Sequence, residues 1–181
     1  ALVATMLMIS YVSYVGLNSS LVRFLAASKQ RSGDINASIL IVGSVAAISS
    51  TLVLVFGGSL FTDNLSFFHD THAGRVLFVS LSVVTTINTL TDSVFIALRR
   101  AKFHTVAYTV FGTVRLILPI LLVSAGAIGI YMAFVLAACA SLAISLTFMI
   151  RGCDYQVLTR PNWHFLIKSR RYTTNNYIAN I

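Results

Sequence analysis

The chain has no glutamate at all, and its five acidic residues are aspartates set against thirteen Lys and Arg, for a formal charge of +8 over 181 residues. Without paired carboxylates, general acid–base catalysis has no obvious carriers. Walker-type phosphate loops, HExxH pairs and GxSxG elbows are also missing, which excludes an ATP-driven motor, a zincin and an esterase-type hydrolase within this chain. We therefore read it as a non-enzyme without a cofactor. Cysteine is scarce: Cys139 falls in a predicted membrane span and Cys153 outside it, so a structural disulfide between them is not expected. His69, Asp70 and His72 share a short polar segment, but two loop histidines lack the additional fixed ligands of a metal site, and none is assigned.

Charge as a whole is sparse, at 10% of residues, while 57% are hydrophobic and the mean hydropathy is +0.85. A water-facing surface needs a richer polar balance, so membrane embedding is the economical reading. A hydrocarbon core about 30 Å thick takes about 20 helical residues per crossing. Five such stretches fit, at about 1–22, 36–61, 75–98, 103–124 and 129–150, which predicts an all-α integral membrane bundle over residues 1–150.

The placement of the basic residues supports this. Arg23, Lys29 and Arg31 follow the first stretch, and Arg99, Arg100 and Lys102 follow the third. Arg151, Arg160, Lys168, Arg170 and Arg171 follow the fifth, while the other gaps are neutral or carry Asp63 and Asp70. Cytoplasmic loops retain Lys and Arg, so all five spans agree on one orientation, with the N-terminus outside and the 151–181 tail inside, and the single contrary charge, Arg75, does not overturn it. Basic residues beside apolar spans are explained by topology and anionic lipid headgroups, which argues against nucleic acid as a partner. In the tail, Trp163, Phe165, Leu166 and Ile167 alternate with basic residues, as expected of an amphipathic segment on the membrane surface, and Tyr172 to Ile181 resembles the start of a further span. Asp34 is expected to cap the second span. No charged segment precedes the apolar residues at Ala1, so a cleavable signal is not seen and the chain is expected to be part of a longer polypeptide.

Several polar residues fall inside the spans. Thr85, Asn88, Thr89 and Asp92 follow the i, i+3, i+4, i+7 spacing of one helical face, and Asp92 is the acidic residue within a span, a candidate for a wet cavity. Thr and Asn there serve equally well as interhelical hydrogen-bonding groups. His104, Tyr108, Phe111 and Arg115 share a face of the fourth span, with Arg115 near its middle. A midplane arginine costs about 2.5 to 3.5 kcal/mol even on lenient insertion scales, so it needs a counter-charge, water or an anionic ligand. Asp92 lies about 9 Å nearer the cytoplasmic side, and a direct pair requires Arg115 to bend toward it. A guanidinium fork in a low-dielectric cavity favours phosphate. Tyr11, Tyr14 and Asn18 form a weaker stripe on the first span, with the topology charge Arg23 at its end. Pro119 is expected to kink the fourth span. Gly129, Ala133, Ala137, Ser141 and Ser145 repeat every fourth residue, a small-residue ladder for close helix packing.

Two segments carry a family resemblance: Gly16-Leu-Asn-Ser-Ser-Leu-Val-Arg23-Phe24 and Phe95-Ile-Ala-Leu-Arg99-Arg100. In these, and in the order and charge pattern of the spans, the chain resembles the polysaccharide biosynthesis proteins of the oligosaccharide flippase family, the Wzx-like branch of the MOP exporter superfamily. The resemblance implies that the five spans form most of one lobe of a MATE-like, MOP-type transporter of the inner (cytoplasmic) membrane. Its cargo would be a polyprenyl-pyrophosphate-linked oligosaccharide, moved by alternating access for cell-surface glycan export. Arg115 would then be the cavity cation, Arg23 would sit near the cytoplasmic entrance, and Asn88, Asp92, His104 and Tyr108 would line the cavity. A drug or cation exporter of the same superfamily, a membrane transferase acting on lipid-linked sugars and a non-transporting membrane protein are the alternatives. The coupling ion is not legible.

Overall fold

The computed structural model describes residues 2–14, 16–56, 71–167, 169 and 172. Their longer α-helices are α1 (Leu2–Ser13), α2 (Leu17–Phe24), α3 (Arg31–Phe56), α4 (His72–Ala97), α5 (Ala101–Leu121) and α6 (Gly126–Gly152), with short 3-10 helices at Leu25–Ala27 and Val123–Ala125 and a helical turn at 163–167. Long apolar runs without water leave intrahelical bonding as the way to satisfy the backbone, and helices follow. Four of them, α3 to α6, are long and apolar enough to cross a membrane, and α1 with α2 forms a bent pair that makes a fifth if counted as one span. These are the lengths and composition of a multi-pass membrane protein.

The first predicted span is therefore not one straight helix. It breaks between Ser13 and Leu17, the two pieces meet at 53°, and Gly16 adopts a left-handed φ of 74°. Glycine takes that conformation without the steric penalty a Cβ brings. The second span also starts earlier than expected. Arg31 opens α3, so Asp34 lies inside the first turn and its carboxylate accepts from the Asn162 amide at 2.7 Å, across 128 residues, instead of capping the helix. Residues 57–61 of that span, and Asp63, His69 and Asp70 beyond it, lie outside the described residues, as does the closing 173–181 stretch. The cap seen in this region is on α4, where the Thr71 side chain accepts from the Gly74 amide at 3.1 Å.

Between α4 and α5 the chain reverses in three residues. Arg99 takes a left-handed φ of 56°, its N–H donates to the Ile96 carbonyl at 3.1 Å, and the Arg100 N–H reaches the Phe95 carbonyl at 2.8 Å, the paired bonds of a Schellman stop. A connection this short makes α4 and α5 antiparallel neighbours. Helix α4 sits at the centre, touching α1, α2, α3, α5 and α6, whereas α5 leans chiefly on α6. The ladder on α6 packs as expected: Gly129, Ala133, Ala137, Ser141 and Ser145 are all buried. At the far end of α6, Phe103 stacks on Phe148 with ring centres 4.8 Å apart and fills the space over Gly152.

The tail returns to the bundle. The Asn162 N–H donates to the Gly33 carbonyl at 2.9 Å, the Gln156 N–H to the Ser32 hydroxyl at 3.0 Å, and the Asn36 amide to the carbonyls of Val157 and Thr159 at 3.0 and 2.7 Å. The Tyr155 hydroxyl bonds Asn36 from the other side. Phe165 is buried and Leu166 packs beside it, while Trp163 and Ile167 remain exposed, so the apolar residues of this segment divide between the bundle and the surface. Through these contacts the tail joins the start of α3 and the end of α6, which gathers Lys29, Arg31, Arg151 and Arg160 at one end of the molecule.

Candidate functional site

Helix α4 sets the geometry of the candidate site. Thr86 faces α1, where its hydroxyl meets that of Ser10 at 3.0 Å, and Asn88 faces α6, where its side-chain oxygen accepts from Ser141 at 3.3 Å. At 100° per residue these two directions lie about 100° to one side of Thr85 and about 60° to the other. Thr85, Thr89 and Asp92 fall between them. That stripe marks a groove between the α1 and α2 side and the α5 and α6 side; Thr85 is buried within it, Thr89 exposed and Asp92 half-buried. Tyr14, at the break of the first span, lies close to Thr89 and Asp92.

The opposite bank supplies the cationic and aromatic groups. On α5, Ala107 is the buried residue, and its carbonyl accepts from the Ser141 hydroxyl at 3.3 Å. His104, Tyr108, Phe111 and Arg115 lie within about 40° to 100° on one side of Ala107, while Val106, Val110 and Ile117 lie on the other. His104 fixes which side is which. Its Nδ1 is 2.9 Å from Asp92 Oδ1, so the polar flank turns toward the groove and the aliphatic flank away from it.

Arg115 is exposed on that groove-facing flank. Its guanidinium carbon lies 5.2 Å from the ring centre of Phe134 on α6 and 5.9 Å from that of Phe111, the two rings meeting edge-to-face at 5.7 Å. Among the described residues it makes no ion pair. The expected possibility that Asp92 neutralises Arg115 is not realised, because Asp92 is engaged by His104. Since α5 ends at Leu121, Arg115 stands about 6 Å beyond the helix midpoint, on the side away from the basic turn. Pro119 continues the helix to Leu121 but removes the N–H that would bond the Arg115 carbonyl.

Of the six residues singled out in the sequence, Asp92, His104 and Tyr108 are brought into contact and Arg115 lies on the same flank of α5. Asp92 touches His104, and Tyr108 continues the row toward Arg115 with its ring 5.9 Å from His104 and 6.3 Å from Phe111, while Asn88 stands at the α6 edge of the α4 stripe. Arg23 is elsewhere, at the end of α2, with its guanidinium 4.6 Å above the Tyr172 ring and 5.6 Å from that of Phe24. The residue that sequence reasoning passed over is Phe134. It lies seven residues before Ser141, on the same face of α6, but one aromatic in an apolar helix carries no signal until a cation is found above it. Among the described residues no cluster of three metal-ligating side chains exists. Outside the spans, burial pushes the Cys153 thiol above its ordinary pKa and outweighs the opposing field of Arg100.

Comparison of the chain with protein-family models, with curated proteins and with solved structures finds no match.

Proposed function

We propose that this chain forms most of one lobe of a MOP-type transporter in the cytoplasmic membrane, which flips a polyprenyl-pyrophosphate-linked oligosaccharide for cell-surface glycan export. The observation that carries the reading is Arg115: a guanidinium at membrane depth, on the groove side of α5, held over two aromatic rings and without a carboxylate partner among the described residues. A charge kept in that setting favours an anion, and a guanidinium fork matches phosphate oxygens. The rings of Phe111 and Phe134 pack against one side of the guanidinium and hold it on this flank, leaving the other side open to a diphosphate.

Tyr108 and Asn88 offer neutral hydrogen-bonding groups suited to sugar hydroxyls. Asp92 is engaged by His104, which leaves Arg115 as the groove cation without a carboxylate partner among the described residues. Arg23, at the basic end, lies where an anionic headgroup meets the protein before entering the groove. A cation exporter fits less well, because the intramembrane acid is already occupied by His104. A purely structural role fits less well too, since a structural Arg115 would be paired and dry.

The test is transport by the complete protein. Arg115→Ala abolishes export of the lipid-linked glycan while the variant still inserts, and Arg115→Lys retains a fraction of it. Unchanged glycan display in Arg115→Ala removes the proposed role.

A further inference from the structure

Away from the groove, the return of the tail closes a second concavity. The start of α3 and residues 153–160 border a cleft of about 600 Å³ lined by Lys29, Arg31, Ser32, Asp154, Thr159 and Arg160, among others. None of its lining residues belongs to the groove. Three cations face one carboxylate there, and among the described residues none of Lys29, Arg31 and Arg160 makes an ion pair. Asp34, the next acid along the chain, is buried and takes the amide of Asn162, so it does not neutralise them.

Bonds at Arg31 and around Arg160 fix the walls. Arg31 donates to the Ala26 carbonyl at 3.1 Å. Arg160 is flanked by Thr159, whose carbonyl accepts from Asn36, and by Asn162, which is bonded to both Gly33 and Asp34. Gly33 permits this close approach: a Cβ there would sit 3.0 Å from the Arg160 carbonyl oxygen and 3.2 Å from Asn162 Cβ. The cleft opens beside the ends of α3 and α6, whose apolar bodies fill the membrane, so its depth is that of lipid headgroups.

We propose that this cleft is a binding site for the phosphate headgroup of an anionic membrane lipid, independent of the groove. Unpaired cations at headgroup level lower their energy by taking a phosphate out of the lipid surface, and each contributes about fivefold in apparent affinity. Two guanidinium forks and one ammonium around a pocket large enough for a headgroup make a specific seat where a diffuse basic surface would only concentrate counterions.

The experiment places the full chain in phosphatidylcholine nanodiscs with increasing phosphatidylglycerol and reads the unfolding midpoint. Stabilisation by phosphatidylglycerol is expected for the unmodified chain, with the lipid fraction needed for half the effect about thirtyfold higher in Lys29→Gln/Arg160→Gln. Lys102→Gln/Arg151→Gln, which removes the same charge at the same end but outside the cleft, is expected to behave as the unmodified chain. Lys29→Arg/Arg160→Lys keeps the response, which separates loss of charge from loss of fold. Equal weakening in both Gln pairs, loss in the charge-conserving variant, or no dependence on phosphatidylglycerol overturns the proposal. So does equal stabilisation by inorganic phosphate in phosphatidylcholine discs, since the site would then be one for a free anion.

Discussion

Helices α4 and α5 are joined by three residues and both carry a polar stripe, yet the bundle treats the two stripes differently. On α4 the polar groups at the edges of the stripe are consumed by neighbours: Thr86 bonds Ser10 on α1, and Asn88 accepts from Ser141 on α6. Among the described residues of the α5 stripe, His104 alone makes a polar contact across helices, while Tyr108 is 65% exposed and Arg115 rests on rings without a carboxylate. Position in the bundle explains the contrast. A helix touching five others has neighbours for the edges of its stripe, though the buried Thr85 hydroxyl has no hydrogen-bond partner among the described residues, and one that leans chiefly on α6 presents its polar flank to the groove. The same periodic signal in sequence thus denotes interhelical bonding at the edges of the α4 stripe and an open flank on α5.

The sharpest way to break this comparison is to mutate both stripes and separate activity from stability. Arg115→Ala is expected to lower transport by the complete protein at least about hundredfold with normal insertion, as loss of a charge-assisted phosphate contact in low dielectric implies. Thr86→Val is expected to leave transport per folded molecule nearly unchanged. Should Arg115→Ala merely reduce the yield of folded protein, the distinction between the helices fails. Gly152→Ala comes next. A methyl group there meets the Phe103 ring at 2.6 Å, and that ring is stacked on Phe148, so unfolding in detergent is expected to become easier by about 1 to 3 kcal/mol. An unchanged denaturation midpoint would mean that α5 is not anchored to α6 through this contact.

Smaller effects refine the picture. The Asp92–His104 pair is partly exposed, with 26% and 34% of the side chains accessible, so a double-mutant cycle of Asp92→Ala with His104→Ala is expected to show coupling of about 1 kcal/mol or less. Zero coupling would detach the groove's floor from its bank. Ser141→Ala removes a hydroxyl shared between Asn88 and the Ala107 carbonyl and is expected to cost about 0.6 kcal/mol, the average for such bonds within membranes. A loss of several kcal/mol there would indicate that polar bonding, and not the close approach of small residues, holds α6 in place.

Much of the fold was legible before any coordinates because its signals are local. Helix length follows from apolar run length, and the small-residue ladder of α6 is a one-dimensional pattern whose burial needs no knowledge of the partner. The face shared by His104, Tyr108, Phe111 and Arg115 follows from helical geometry alone. What was misread involved contacts remote in sequence or a local backbone choice. Asp34 looks like a cap from its neighbours, but Asn162 claims it from 128 residues away. The first span looks continuous by hydropathy, which does not register that Gly16 turns left-handed at the break.

The sequence by itself determined the class of molecule, the spacing of its apolar helices, the alternation of basic and neutral connections, and the residues that share each helical face, since all of these follow from the 1.5 Å rise and 100° turn of an α-helix. Only the tertiary structure decided how those faces are aimed. The rotation of α5 about its axis, set by Ala107 against Ser141, gives Asp92 to His104 and leaves Arg115 over Phe134. Helical periodicity fixes angles within one helix and says nothing of the angle between two, and that second angle is set by packing.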